Sequence, residues 1–260
     1  MTPAPVRVDH DGGTAVVTID SPPLNLFDDA LRTALRAVVD ELEQSTPRAV
    51  LVRAEGRLVS GGVDVRLFAG LDGPDEATAV FRELVQLSRR VAALPCPTVF
   101  AAHGLCLTWA FELALACDLI LASESASFGL IEATVGLTPA MGGTQRLAER
   151  AGSGRARELV LTAERFDATT LHAWGVVNRV LPDDGLDAAA RALAARLAAG
   201  PTRAHAATKQ VIEQYLLGGV DAADERVPGL AGELFATDDL RDALDSFLRD
   251  GHGRARFEGR

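Results

Sequence analysis

An α/β fold followed by a helical C-terminal part is what this chain predicts, on three observations. Continuous apolar runs of strand length recur in the first half, separated by amphipathic helical stretches. Glycine-rich loops follow two of those runs. After Gly142 the pattern becomes almost wholly helical. Alternation of strand and helix marks a mixed or parallel sheet with crossover helices.

The elements follow in order. Residues 6–8 and 14–20 read as strands joined by Asp9-His10-Asp11-Gly12-Gly13, a hairpin turn by composition. Ser21-Pro22-Pro23 ends the second strand. Asp28 is placed to cap a helix whose Leu31, Leu35, Val38 and Leu42 repeat at helical spacing, and which stops before Pro47. Residues 49–52 are continuously apolar, as expected of a strand covered on both faces. Residues 56–64 form a loop punctuated by glycine. A helix spans 75–93 and is stopped by Pro95 and Pro97. Residues 98–102 are a buried strand, 104–108 a turn, 108–116 a buried helix and 118–122 a strand. Helices are predicted over 144–150, 155–163, 169–174, 186–199, 201–217 and 238–249, with a single strand at 176–180. This divides the chain into an α/β core, residues 1–200, and a helical region, residues 201–260.

Composition narrows the function. The 260 residues are 48% hydrophobic, enough for a sizeable core. A net charge of −10 does not draw nucleic acid or an anionic membrane through the bulk field, so neither is expected as a partner. A local basic patch can still hold an anionic ligand. Lys209 is the only lysine, which leaves nearly all cationic work to arginine. Cys96, Cys106 and Cys117 are odd in number and lie in apolar surroundings, which suits buried small hydrophobes rather than disulfides or zinc. The apolar stretch 99–122 is interrupted by His103, Gly104, Thr108, Glu112 and Asp118, so its pieces fall short of the ~20 residues a membrane span needs. Met1-Thr2-Pro3-Ala4-Pro5 carries no secretory pattern, and a cytoplasmic location is expected. His10, His172, His205 and His252 show no metal-ligand spacing. Neither a Gly-x-Ser-x-Gly elbow nor a Gly-Lys-Ser/Thr loop occurs, which argues against a serine hydrolase of the usual α/β type and an NTPase.

The chemistry lies in two carboxylates and two loops. Glu112 sits among apolar Phe111, Leu113, Ala114 and Leu115. A buried carboxylate is costly, and such sites are more often functional than accidental. The other reading is a helix carboxylate held by an arginine. Glu132 closes Phe128-Gly129-Leu130-Ile131-Glu132. Residues 61–64 and 104–109 each follow a strand, and glycine-rich loops and helix N-termini expose main-chain N–H groups. Chemistry beside a thioester carbonyl needs both parts: preorganised donors for an oxyanion and carboxylates to move protons.

These segments resemble the crotonase (enoyl-CoA hydratase/isomerase) superfamily. Val59-Ser60-Gly61-Gly62-Val63-Asp64-Val65 is similar to the family's Phe-Ser-Ala-Gly-Ala-Asp-Leu pattern. His103-Gly104-Leu105-Cys106-Leu107-Thr108-Trp109-Ala110-Phe111-Glu112 is similar to Asn-Gly-x-Ala-x-Gly-Gly-Gly-x-Glu. Phe128 to Glu132 and Gly142-Gly143-Thr144-Gln145-Arg146-Leu147 follow a third pattern, with Ile131 in place of proline. Pro22-Pro23-Leu24-Asn25, Gly175-Val176-Val177-Asn178-Arg179-Val180 and the tail Phe257-Glu258-Gly259-Arg260 extend the likeness over nearly the whole chain. The resemblance implies a crotonase (ClpP-like) α/β fold, with a ββα-type repeated core and a helical C-terminal region. It implies an acyl-CoA substrate, catalysis by Glu112 and Glu132, and oxyanion donors at Val63 and Trp109. CoA contacts fall on Pro23, Leu24, Gly61, Asp64 and Arg66. Neither a metal nor a resident cofactor is implied, CoA arriving as part of the substrate. The expected assembly is a homotrimer or a dimer of trimers built through residues 201–260. Asp64 is also a candidate helix cap or loop stabiliser, and His103 a structural hydrogen-bonding residue.

Hydration of a 2-enoyl-CoA is the expected reaction. An isomerase using Glu132 alone, a decarboxylase, dehalogenase or thioesterase, and a catalytically silent subunit stay open beside it. The chain departs from the family at Thr108-Trp109-Ala110, which replaces a glycine triplet. We expect this turn to keep helical φ and start the helix, with the Trp109 N–H aimed at the thioester oxygen. The indole would then sit in the acyl-pocket wall or a subunit contact. The opposing reading has the indole filling core and the oxyanion hole damaged.

Overall fold

A computed structural model describes residues 4–251 and 253–260 of the chain. Met1, Thr2, Pro3 and His252, on which parts of the leader and metal readings fell, lie outside the described residues.

The strands β1 (Val6–Asp11) and β2 (Thr14–Ile19) form an antiparallel hairpin. Its turn is only Gly12-Gly13, with φ of 55° and 90°. Glycine enters that region without a Cβ clash, so β1 runs on to Asp11, beyond its expected end. The helix α1 (Asp29–Ser45) starts as predicted, with the Asp28 carboxylate accepting from Leu31 N at 2.8 Å. Next come β3 (Ala49–Ala54), the short α2 (Arg66–Ala69), α3 (Pro74–Ala92) and β4 (Thr98–Ala102).

The predicted turn at 104–108 is instead β5 (Leu105–Leu107). It pairs with β7 (Ser127–Gly129), which in turn pairs with β8 (Phe166–Asp167). The three make a small separate sheet. Partners this distant in sequence leave no mark in local composition. Between them lie α4 (Trp109–Ala116) and β6 (Leu119–Ser123).

The main sheet has the order β1-β2-β3-β4-β6-β9, parallel from β2 onward, where β9 is Arg179–Leu181. The strand expected at 176–180 is therefore shorter. Val176 and Val177 are buried in the turn after α7 (Ala168–Ala173).

Both faces of the sheet are covered, which explains the uninterrupted apolar runs. On one face Val16, Leu51, Val99 and Leu121 meet Leu186, Leu193 and neighbouring alanines of α8 (Leu186–Ala198). The alternate residues Val17, Val50, Val52, Phe100 and Ile120 enter the larger core with α1, α3 and α4. Each fully buried Leu, Ile or Phe contributes about 1.5–3 kcal/mol relative to exposure.

Helices α5 (Gly143–Ala151) and α6 (Ser153–Thr162) precede α7. The helix predicted over 201–217 is longer: α9 spans Thr202–Leu234, broken at Gly219, where φ is 78°. α10 is Asp238–Asp250. The tail folds back over this region. Asp239 accepts from Glu258 N and Gly259 N at 2.7 and 2.8 Å, and Arg48 donates to Phe257 O at 2.8 Å. Among the described residues no helix is long and apolar enough to cross a membrane.

Candidate active site

Because β3 and β4 are adjacent and parallel, the chain leaves both at the same sheet edge. That edge receives both glycine-rich loops. Ser60 N donates to Leu105 O at 2.9 Å, and Leu107 N to Ser60 O at 3.2 Å, which ties the first loop along β5. Thr108 N donates to Gly129 O at 2.8 Å, which ties the start of α4 to the strand leading to Glu132. Three segments distant in sequence thus converge through main-chain bonds.

The two expected oxyanion donors are both free. Neither the Val63 N–H nor the Trp109 N–H finds an acceptor among the described residues. Trp109 is the first residue of α4, where a helical N–H has no intrahelical partner. Val63 is held by its flanks: Phe27 N donates to Gly62 O and Asp64 N to Phe27 O, each at 3.0 Å. The residues preceding the two donors are neighbours, since a methyl placed on Gly62 would stand 3.5 Å from Thr108 Oγ1.

The expectation for the Thr108-Trp109-Ala110 turn needs correction on two points. Thr108 does not keep helical φ; it lies at φ 50°, ψ −120°. That region strongly favours glycine, so the threonine retains a glycine-like backbone at a cost on the order of 1–3 kcal/mol. Its hydroxyl is buried and unpartnered. The indole goes neither to a pocket wall nor to a subunit contact. It is 2% exposed, packs on Phe27 with ring centroids 5.4 Å apart, and donates through Nε1 to Ser60 Oγ at 2.7 Å. The indole fills core, as the opposing reading held, yet the main-chain N–H stays free.

Glu112 projects from α4 and is 3% exposed. It is not held by an arginine. Its Oε2 accepts from Met141 N at 2.9 Å and Gly143 N at 2.6 Å, at the N-terminal end of α5. Burial pushes its pKa up to about 7, against those two bonds and the nearby charge of Arg146. Glu132 opens a 3-10 turn, Glu132–Val135, and is also buried. Its Oε2 has no partner. Burial first, and the Glu112 charge second, push its pKa up to about 8. The Glu132 carboxyl therefore senses the Glu112 charge.

The Gly142-Gly143 pair has a steric reason. Gly142 sits at φ 98°, and a Cβ on Gly143 would lie 2.6 Å from Glu112 Cγ. Only glycine lets the α5 N-terminus reach the carboxylate.

The segments expected to contact CoA flank the first loop. Gly61 N donates to Leu24 O at 2.9 Å, and Leu24, which follows Pro23, is partly exposed. Asp64 Oδ1 accepts from Arg66 N at 3.0 Å, and its carboxylate pairs with the exposed Arg66 guanidinium. This stabilises the turn and holds Asp64 below the usual carboxylate range. His103 Nε2 lies 3.1 Å from Gly56 O, a structural bond.

Sequence reasoning passed over three residues: Ser60, Asn25 as a side chain, and Met141. Buried Asn25 Nδ2 reaches Glu55, Leu58 and Val59 carbonyls at 3.2, 3.3 and 3.1 Å and pins the base of the first loop. An asparagine directly after Pro22-Pro23-Leu24 was the available signal.

Comparison with known proteins identifies the family and the fold. The sequence profile described as enoyl-CoA hydratase/isomerase matches residues 9–259. The chain is 29% identical over 240 residues to "Probable enoyl-CoA hydratase" of Bacillus subtilis (strain 168), covering 92% of this chain and 93% of that one. It is 30% identical over 250 residues to a short-chain-enoyl-CoA hydratase of Clostridium acetobutylicum, covering 94% of each. The crystal structure of enoyl-CoA hydratase from Bacillus anthracis superposes with a TM-score of 0.90 at 26% identity, covering 98% of this chain and 100% of that one. The fold is that of the crotonases, and the chain belongs to the enoyl-CoA hydratase/isomerase family.

Proposed function

We propose that this protein is an enoyl-CoA hydratase, adding water across the double bond of a 2-enoyl-CoA or removing it. The observation that carries this reading is the pair of buried carboxylates with raised pKa values, about 7 and about 8, beside two loops with free N–H groups. Environments that separate two carboxyl pKa values assign one as base and one as acid. Between those values the pair holds one proton, on Glu132.

In the proposed reaction both carboxylates hydrogen-bond one water. Its hydroxyl adds to C3, and the released proton passes to Glu112. The double-bond electrons move toward the thioester oxygen, whose negative charge the Val63 and Trp109 N–H groups accept. C2 takes its proton from Glu132. The pair ends with the proton on Glu112 and exchanges it through solvent. CoA enters with the substrate, along Pro23, Leu24, Gly61, Asp64 and Arg66, and no resident metal or redox group takes part. The Phe68–Phe81 ring pair, 5.6 Å apart between α2 and α3, suits an apolar wall for the acyl chain. We place assembly, as a homotrimer or dimer of trimers, on region 201–260. That reading is supported by exposed Ile212, Tyr215, Leu217, Phe235, Phe247 and Leu248.

Mass spectrometry of 2-enoyl- and 3-enoyl-CoA thioesters incubated with the protein tests the reading. Gain of one water on a 2-enoyl substrate supports it. Double-bond migration without water gain makes the protein an isomerase, and no turnover removes both assignments.

The acid–base assignment also predicts a narrow pH profile. kcat/KM should fall below about 7, where Glu112 gains its proton, and above about 8, where Glu132 loses its own. A flat rate from about pH 6 to 9 would contradict the single-proton pair.

A further inference from the structure

We propose that the Trp109 indole is a positioning device for the oxyanion hole: the residue whose main-chain N–H is one donor also fixes, through its side chain, the loop carrying the other. This rests on the reading of Val63 and Trp109 as the oxyanion donors.

The indole reaches the Val63 loop by two routes. The first is Ser60. Its hydroxyl accepts from Trp109 Nε1 at 2.7 Å and from Gly62 N at 3.0 Å, and donates to Asn25 O at 2.8 Å. A serine hydroxyl has one proton and two lone pairs, so this one is fully committed. It joins the indole, the Gly61–Gly62 peptide of the Val63 loop and the main chain of Asn25, next to Pro23–Leu24, at one buried point. The second route is Phe27. Its ring packs on the indole, and its main chain bonds to both sides of Val63, accepting from Asp64 N and donating to Gly62 O.

The spacing of the two donors therefore depends on a rigid ring with few rotatable bonds, buried at 2% exposure. Oxyanion stabilisation depends on donors already in place when charge develops. A glycine at position 109 would supply the same N–H and no tether. The contacts of the tryptophan thus give it a role beyond filling space.

The test compares Trp109→Phe, which keeps the ring and the N–H but deletes the indole donor, with Ser60→Ala and the double variant. Kinetics on a 2-enoyl-CoA would be read beside the carbonyl stretching frequency of a bound, unreactive acyl-CoA thioester. We expect kcat to fall roughly tenfold in Trp109→Phe, as for loss of one neutral hydrogen bond, and at least as far in Ser60→Ala, which also loses the Gly62 N and Asn25 O bonds. KM should stay within about twofold, because the loss acts on the transition state. The double variant should be no slower than Ser60→Ala, since the bond that Trp109→Phe removes is already lost there. The downshift of the bound carbonyl should shrink in parallel. Should Trp109→Phe not fold, Ser60→Ala alone carries the comparison with wild type. Unchanged kcat and carbonyl frequency in folded variants, or fully additive losses, would overturn the inference. A wild-type protein that neither turns over nor polarises any thioester would instead overturn the functional reading, and the inference with it.

Discussion

Replacing Glu132 with glutamine is expected to lower kcat for hydration about 100- to 10,000-fold, the range associated with loss of a positioned acid–base group. The amide matches the carboxyl in shape, so the fold should survive. Stability gives a second readout. The ordinary carboxyl value of 4.5 rises to about 8 in the folded protein, so the fold favours the neutral acid. Below pH 4.5 the folded and unfolded chains both carry the proton, and the group contributes no penalty. As pH rises from there toward 8 the unfolded chain ionises first. The native state then loses stability at up to about 1.4 kcal/mol per pH unit. Glutamine cannot ionise. Its unfolding midpoint should thus exceed that of wild type near pH 8, and the two should converge below about pH 4.5. A variant that keeps wild-type turnover would remove Glu132 from the mechanism.

Gly143→Ala is expected to be nearly as damaging, although it removes no functional group. The added methyl would lie 2.6 Å from Glu112 Cγ and 3.0 Å from Oε2, in a buried site. Something must move. If the carboxylate swings away, it loses the Met141 and Gly143 N–H bonds that hold it. If the α5 N-terminus retreats, the same bonds break from the other side. We expect kcat to fall at least about 100-fold, since misplacement of a reacting group by about 1 Å costs that much. Overpacking should also destabilise the protein by about 1–3 kcal/mol. Thermal unfolding beside steady-state kinetics checks both effects. Full activity would show that Glu112 needs neither bond.

Much of this site is legible in the sequence because the signals are local. Asp28 caps a helix by its own side chain, and the near-continuous burial of β3 and β4 follows from their uninterrupted apolar runs. Glu112 stands out because charge among apolar neighbours is costly wherever the chain places it. Other features have no local signal. β5 reads as a turn because its partner is β7, and the second limb of α9 is hidden by Gly218-Gly219. The bonds on Glu112 come from Met141 and Gly143, beyond any helix period.

Trp109 marks the boundary between the two kinds of information. The residues alone place its N–H at a helix start beside Glu112, because that follows from chain order. Where the indole goes depends on which surfaces stand nearby, and those come from Phe27 and Ser60. Sequence by itself determined the family, the layered α/β core and the pair of carboxylates, since motif spacing and hydrophobic period act over short range. Only the tertiary structure decided that Thr108 keeps a glycine-like turn, that the Trp109 indole packs in the core, and that one buried hydroxyl joins the two loops. Those outcomes rest on packing and hydrogen-bond satisfaction between segments far apart in the chain, and a periodicity carries no record of them.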